Sequence, residues 1–388
     1  MNALRHPIAA TRRALVTSLL VLPCLVAAVV AGCGDDEGPA PVTTTLDSGV
    51  DSSSVGKDAN TADNFVPPSD SGSDASDSGP QDAGDDGAAL AALQARGKYL
   101  VEGVIGCSDC HTPRDKDGPI AAKFLSGVDC FIDVDGPTDG GCLSSSNLTN
   151  DPTGLKNRTD EEIKTMFMEG KRPNGQFLNN VMPYYTLHNL RAEDADAIVA
   201  YLRTVPAVSH TARPNDPPFA NVPAASPSFD QAKLPTVTDA GTGADLANGR
   251  YLAQLACLEC HTRHLPPGSP TVLDENKLFA GNESFPAAAL GLPTGPGGFP
   301  DTIYSANITP HANGLAGWSV DDVKKAMQKG LDRQDGGVCP PMPAGPLGVL
   351  GKMTDKDALD VASFIHGIPA VDNTIDGGSG SCVVPKGP

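Results

Sequence analysis

Two short motifs carry the chemistry of this 388-residue sequence: Cys107-Ser-Asp-Cys110-His111 and Cys257-Leu-Glu-Cys260-His261. Both follow the pattern Cys-x-x-Cys-His. One helical turn between the cysteines sets two thiols on one side, where they can add across the two vinyl groups of a haem. The next residue then presents its imidazole to the iron. The pattern reads as two sites for covalently bound haem c, with His111 and His261 as axial ligands. Two other chemistries use the same thiols. A redox dithiol needs no histidine, and a zinc site usually pairs two such motifs within one small unit. These two lie 150 residues apart.

A haem iron held by His has a sixth position, and Met fills it in electron carriers, raising the potential. Val181-Met182-Pro183 and Pro341-Met342-Pro343 offer one Met-Pro each. Pro removes a backbone donor and fixes φ, which keeps a ligand loop off helical geometry. Met182 and Met342 are therefore the expected second axial ligands. His188, His264 and His311 are the alternatives, and His264 has no counterpart in the first half. Met166, Met168, Met327 and Met353 read as core filler.

The elements that must position these residues are duplicated. Gly97-Lys-Tyr99-Leu100 recurs as Gly249-Arg-Tyr251-Leu252, and Asn147-Leu-Thr149 as Asn307-Ile-Thr309. An offset of 160 pairs Gly154 with Gly314, Thr159 with Ser319, Gly170 with Gly330 and Met182 with Met342. A helix over 89–106 runs into the first motif, and one over 244–256 into the second. Thr159, with Glu162 three residues on, opens another as a capping box, and Ser319 with Asp322 repeats this less well. Last helices cover 192–204 and 355–366, the latter with Thr354 as N-cap. No segment shows convincing strand alternation. The fold class is mostly α: two tandem small haem-binding domains with long irregular loops. The two Asp-x-Asp-Gly fragments at 115–118 and 133–136 lack the Glu that a calcium loop requires, and read as turns.

Outside the repeats the composition changes. Arg5, Arg12 and Arg13 precede an apolar run from Ala14 to Ala31, the layout of an export signal. The alternative is a transmembrane anchor, for which the run is marginal in length. It ends in Val30-Ala31-Gly32-Cys33, which resembles a bacterial lipoprotein signal, so Cys33 is expected to carry the lipid. Residues 34–87 hold 13 acids and one base, Lys57, and too little apolar surface to offset ordering entropy. The expected organisation is a signal at 1–32, an acidic tether at 33–87, domains at 88–208 and 244–388, and a Pro-rich, semi-extended linker at 209–243. Export to the periplasm favours disulfides. Once the signal, lipid and haem cysteines are set aside, Cys130, Cys142, Cys339 and Cys382 remain. They are expected as Cys130–Cys142 and Cys339–Cys382, with free buried thiols as the alternative.

Acids outnumber bases 47 to 28, a formal charge of −19, which excludes a role on nucleic-acid phosphates. Much of that charge belongs to the tether. Aromatic residues are only 5%, so something other than side chains must fill part of the core.

Taken together, the repeat resembles tandem cytochrome c domains, and more narrowly the cytochrome c subunits of membrane-bound alcohol, aldehyde and gluconate dehydrogenases. The residues that carry the likeness are Gly97-x-Tyr99-Leu100, Cys107-x-x-Cys110-His111, Asn147-Leu148-Thr149-x-Asp151-x-x-Gly154-Leu155, Met182-Pro183-Tyr184 and the run Asp194 to Leu202. In the second repeat Ala344 replaces the Tyr after Met-Pro. Those subunits commonly carry three haems, whereas this chain has two motifs. The resemblance implies electron transfer rather than catalysis, first and last helices packed across each other, a dehydrogenase as donor, and an oxidase or other cytochrome as acceptor. The rival reading is a dihaem peroxidase. Those enzymes also space two such motifs by about 150 residues, but usually carry a Phe-Asp-x-Arg-Leu-Ser-type segment that is absent here.

Overall fold

A long helix, α1 (Ala83–Gly103), leads into the short helix α2 (Cys107–His111), which contains the first motif. α1 starts before residue 89, inside the stretch expected as tether; an acid in its first turn, Asp86, suits the helix dipole there. The computed structural model describes residues 83–115, 118–134, 141–220, 226–266 and 272–376. The expected signal, Cys33 and nearly all of the expected tether lie outside them. Among the described residues, no helix is long and apolar enough to cross a membrane.

The first repeat continues through α3 (Asp160–Glu169), α4 (Tyr184–Leu187) and α5 (Ala192–Leu202). The second runs through α6 (Leu246–Ala256), α7 (Leu258–His261), α8 (Val320–Lys329) and α9 (Asp355–Gly367). The rest of the described chain is mostly coil with short 3-10 turns, plus three two-stranded antiparallel sheets. These are β1 (Arg114–Asp115) with β2 (Gly118–Pro119), β3 (Ile132–Asp133) with β4 (Cys142–Leu143), and β5 (Ser284–Pro286) with β6 (Thr302–Tyr304). At two or three residues each, these strands are too short to show alternation in the sequence.

Each repeat is organised by one close helix crossing. A Cβ added at Gly97 on α1 would lie 1.8 Å from the Ala197 carbonyl oxygen on α5; one added at Gly249 on α6 would lie 2.1 Å from that of Asp360 on α9. The repeated glycine is there because the two backbones touch. Leu100, Val101, Leu252 and Phe364 are fully buried around these crossings. Each contributes roughly 2 kcal/mol by leaving water.

The caps form as the residue pattern implies. Thr159 and Glu162 make a reciprocal capping box on α3, and Ser319 with Asp322 makes an equally complete one on α8. The shorter Asp side chain still reaches the Ser319 amide, at 2.9 Å. Thr354 caps α9 by accepting from the Asp357 amide at 3.1 Å.

The described parts of the segment expected as a semi-extended linker at 209–243 are mostly coil, with a 3-10 turn at Gln231–Lys233, and are held at several points. Asn189 donates to the Phe229 carbonyl at 2.8 Å, and Arg250 binds the carbonyls of Gln231, Leu234 and Pro235. Phe229 and Leu234 are buried. Apolar residues spaced among prolines give such a strap a side to bury, which its composition alone does not disclose.

Candidate functional site

The two motifs are presented in the same way. In the first, Gly106 adopts φ 73° and turns the chain into α2. His111 Nδ1 lies 2.7 Å from the Ser146 carbonyl oxygen, and His261 Nδ1 lies 2.8 Å from that of Ala306. A carbonyl can only accept, so Nδ1 carries the proton and the Nε2 lone pair is free for a metal. Burial lowers the pKa of both imidazoles, against a smaller opposing effect of those hydrogen bonds. They are therefore neutral, the form in which His ligates. The Gly127 amide donates to the His111 carbonyl and the Gly281 amide to that of His261, each at 2.8 Å. Buried Thr112 and Thr262 each accept, at 3.0 Å, from the amide of a residue with positive φ, Leu125 (57°) and Phe279 (59°).

Cys107, Cys110, Cys257 and Cys260 are all free thiols. Burial pushes Cys107 and Cys257 up to about 12. Cys110 and Cys260 are solvent-accessible, yet desolvation still lifts them to about 11 and about 12. Paired free thiols beside a neutral imidazole with an open Nε2 fit covalent haem at each motif. His111 and His261 would hold the iron, and the cysteines would form the thioethers.

Met182 and Met342 occupy matching turns. The Met182 amide donates to Asn179 and the Tyr184 amide returns to the Met182 carbonyl at 2.7 Å; the Met342 amide donates to Cys339 and the Ala344 amide to Met342 at 2.8 Å. Both side chains are partly buried against the core. They could supply a thioether to each iron. Met327 and Met353 are buried, and Met166 and Met168 pack at the core margin. Cys130 and Cys142 are disulfide-bonded, closing the β3–β4 loop. Cys339 is also disulfide-bonded; its expected partner, Cys382, lies outside the described residues.

The alternative histidines do other things. His188 is exposed, and His311 Nδ1 accepts from the Asn313 amide at 3.2 Å. His264 is buried in a cluster that sequence reasoning missed. Its Nε2 lies 2.8 Å from Tyr185 Oη and 3.3 Å from Glu259 Oε1, and its Nδ1 lies 3.1 Å from Glu283 Oε2. Tyr185 donates to the Glu259 carboxylate at 2.5 Å. Burial alone would lower the His264 pKa, but hydrogen bonds to Glu259 and Glu283 carry it up to about 9. The available signal was the lack of a His264 counterpart in the first repeat.

Comparison with known proteins gives these residues a context. Residues 94–206 match the model of the family described as "Cytochrome c". That family implies covalently bound haem c. The chain is 28% identical over 180 residues to the fructose dehydrogenase cytochrome subunit of Gluconobacter japonicus, covering 43% of this chain and 32% of that protein. It is 31% identical over 117 residues to the alcohol dehydrogenase (quinone) cytochrome c subunit of Gluconobacter oxydans, covering 29% and 24%. It is 34% identical over 125 residues to a diheme cytochrome c-type protein of Cereibacter sphaeroides, covering 31% and 38%. The chain thus spans about a third of the length of the curated relatives it matches.

Proposed function

We propose, starting from a chain that carries a cytochrome c match at residues 94–206 and resembles the cytochrome subunits of dehydrogenases, that this protein is a dihaem electron carrier. The observation that carries the reading is the duplicated site: a neutral, carbonyl-oriented histidine beside two free thiols, twice in one chain, with a Met-Pro turn at the matching place of each repeat. A haem at each motif supplies a one-electron iron couple. The protein's part would be to hold that group, with His111 and Met182 as the residues offered to one iron and His261 and Met342 to the other. With both positions taken by side chains, such an iron would favour electron transfer over substrate chemistry. The two motifs make the tandem domains at 88–208 and 244–388 both haem-binding. The export-signal pattern and its Cys33 support a carrier that is lipid-anchored on the periplasmic side of a bacterial membrane. The relatives' names point to a membrane dehydrogenase as donor, with an oxidase or another cytochrome as acceptor.

A pyridine haemochrome assay with intact mass checks this directly. The expected result is two haems per chain, falling to one in Cys107→Ser/Cys110→Ser and in Cys257→Ser/Cys260→Ser, with a far-red Met–iron band in the oxidised protein. One haem in the unaltered chain, or rapid turnover of peroxide with a reduced donor, would overturn it.

A further inference from the structure

The second motif is tied to the first repeat by a polar cluster that, among the described residues, has no twin on the other side. Tyr185 follows the Met182 turn directly, in α4, and is 2% exposed. Its hydroxyl donates to Glu259, the residue before Cys260, at 2.5 Å and meets His264 Nε2 at 2.8 Å. His264 is braced from behind by Glu283, which also accepts from the His264 amide at 2.8 Å. On the same seam, Gln254 of α6 donates to the Thr186 carbonyl of α4 at 3.2 Å. At the matching places the residues differ: Gly345 stands where Tyr185 does, and Asp109 where Glu259 does. Asp109 pairs loosely with Arg114 of its own repeat, at 3.5 Å, with a third of its side chain in solvent.

Buried polar clusters like this are costly unless every member is partnered, and a partnered cluster admits few geometries. Here the few geometries fix a turn carrying one proposed iron ligand, Met182, against the turn carrying both thiols and the histidine of the other site. We infer that Tyr185 is a positioning residue for electron exchange between the two sites: through Glu259 and His264 it fixes their separation and relative orientation. This rests on the dihaem reading above. The exchange itself moves one electron, one iron being oxidised as the other is reduced, with no atom or proton transferred by Tyr185.

The test uses the full-length, haem-loaded protein with haem counted by pyridine haemochrome. Tyr185→Phe keeps the ring, which packs edge-on to Tyr184 and His264, and removes only the hydroxyl. The readouts are the Soret circular-dichroism couplet, which reports the mutual orientation of two haems, and the internal electron-exchange rate after flash photoreduction. The expected result is a weakened or reshaped couplet and a rate several-fold slower, with both haems and both far-red bands retained. Glu259→Gln, which still accepts from Tyr185, should keep most of the couplet and rate. Tyr201→Phe, which removes a hydroxyl bonded to Glu102 away from this seam, should change neither. If Tyr185→Phe fails to accumulate, Glu259→Leu replaces it with the same two expectations. A wild-type couplet and rate in the altered protein would overturn the role of Tyr185 alone. A single haem in the unaltered protein would overturn the dihaem reading with it.

Discussion

Tyr99 and Tyr251 stand at matching positions of the two repeats, and each donates to a carboxylate of the other repeat. Tyr99 Oη reaches Asp357 at 2.6 Å and Tyr251 Oη reaches Asp194 at 2.7 Å. Such an exchange marks an approximate twofold relation, in which the same patch meets itself. It explains why the cluster at Tyr185 matters as the departure from symmetry. Asp194 is shared: Arg96 pairs with it at 2.7 Å, and although burial would raise its pKa, the Arg96 and Tyr251 hydrogen bonds hold the carboxyl low.

The two latches should not be worth the same. Tyr251→Phe removes a donor from a carboxylate that is 3% exposed, whereas Asp357 is only half-buried. Tyr251→Phe is expected to cost about 2 kcal/mol and Tyr99→Phe about 1 kcal/mol, read from urea unfolding of the haem-loaded protein. Equal losses would mean that burial of the acceptor does not set the value.

Gly97→Ala and Gly249→Ala test the helix crossings. The added methyl would meet backbone oxygens, which cannot swing away as a side chain can. Each is expected to destabilise by about 3 kcal/mol, visible as a lowered Tm or a lost folded yield. Gly87→Ala, whose Cβ meets nothing within 4 Å, is the matched control and should be neutral or slightly stabilising.

His264 predicts a pH dependence. Its folded pKa is about 9 against an ordinary 6.5, so the folded state holds the proton more tightly than the unfolded chain. The stabilisation is fully present below the unfolded value of 6.5 and disappears as pH rises through about 9. It amounts to roughly 3 kcal/mol. Unfolding titrations should show stability declining across that window, and His264→Gln should flatten the decline.

The Cys130–Cys142 bridge closes a loop with a sequence separation of 12. Loop-closure entropy assigns it about 3 kcal/mol. Cys130→Ala/Cys142→Ala should lower stability by about that amount, measured by denaturant unfolding, while leaving two haems per chain.

Capping offers a smaller effect. Thr159→Ala and Ser319→Ala should each cost about 1 kcal/mol, and the two losses should add because the sites are independent. Thermal melts of the single and double variants check both statements.

What the amino-acid sequence determined by itself was the chemistry and the local structure. Cys-x-x-Cys-His, the Met-Pro turns and the capping boxes all act over a few residues or through a repeated pattern. Each could be read from spacing and then counted twice. The tertiary structure decided how the two copies meet. Tyr99 with Asp357 spans 258 residues, Tyr185 with Glu259 spans 74, and the strap near Phe229 is held by Asn189 and Arg250. None of these pairs has a local periodicity that announces it. A tyrosine two residues past a Met-Pro looks the same in sequence whether its hydroxyl faces water or a glutamate of the other repeat. Only the packing of one repeat on the other chooses between them, because that packing takes the water away.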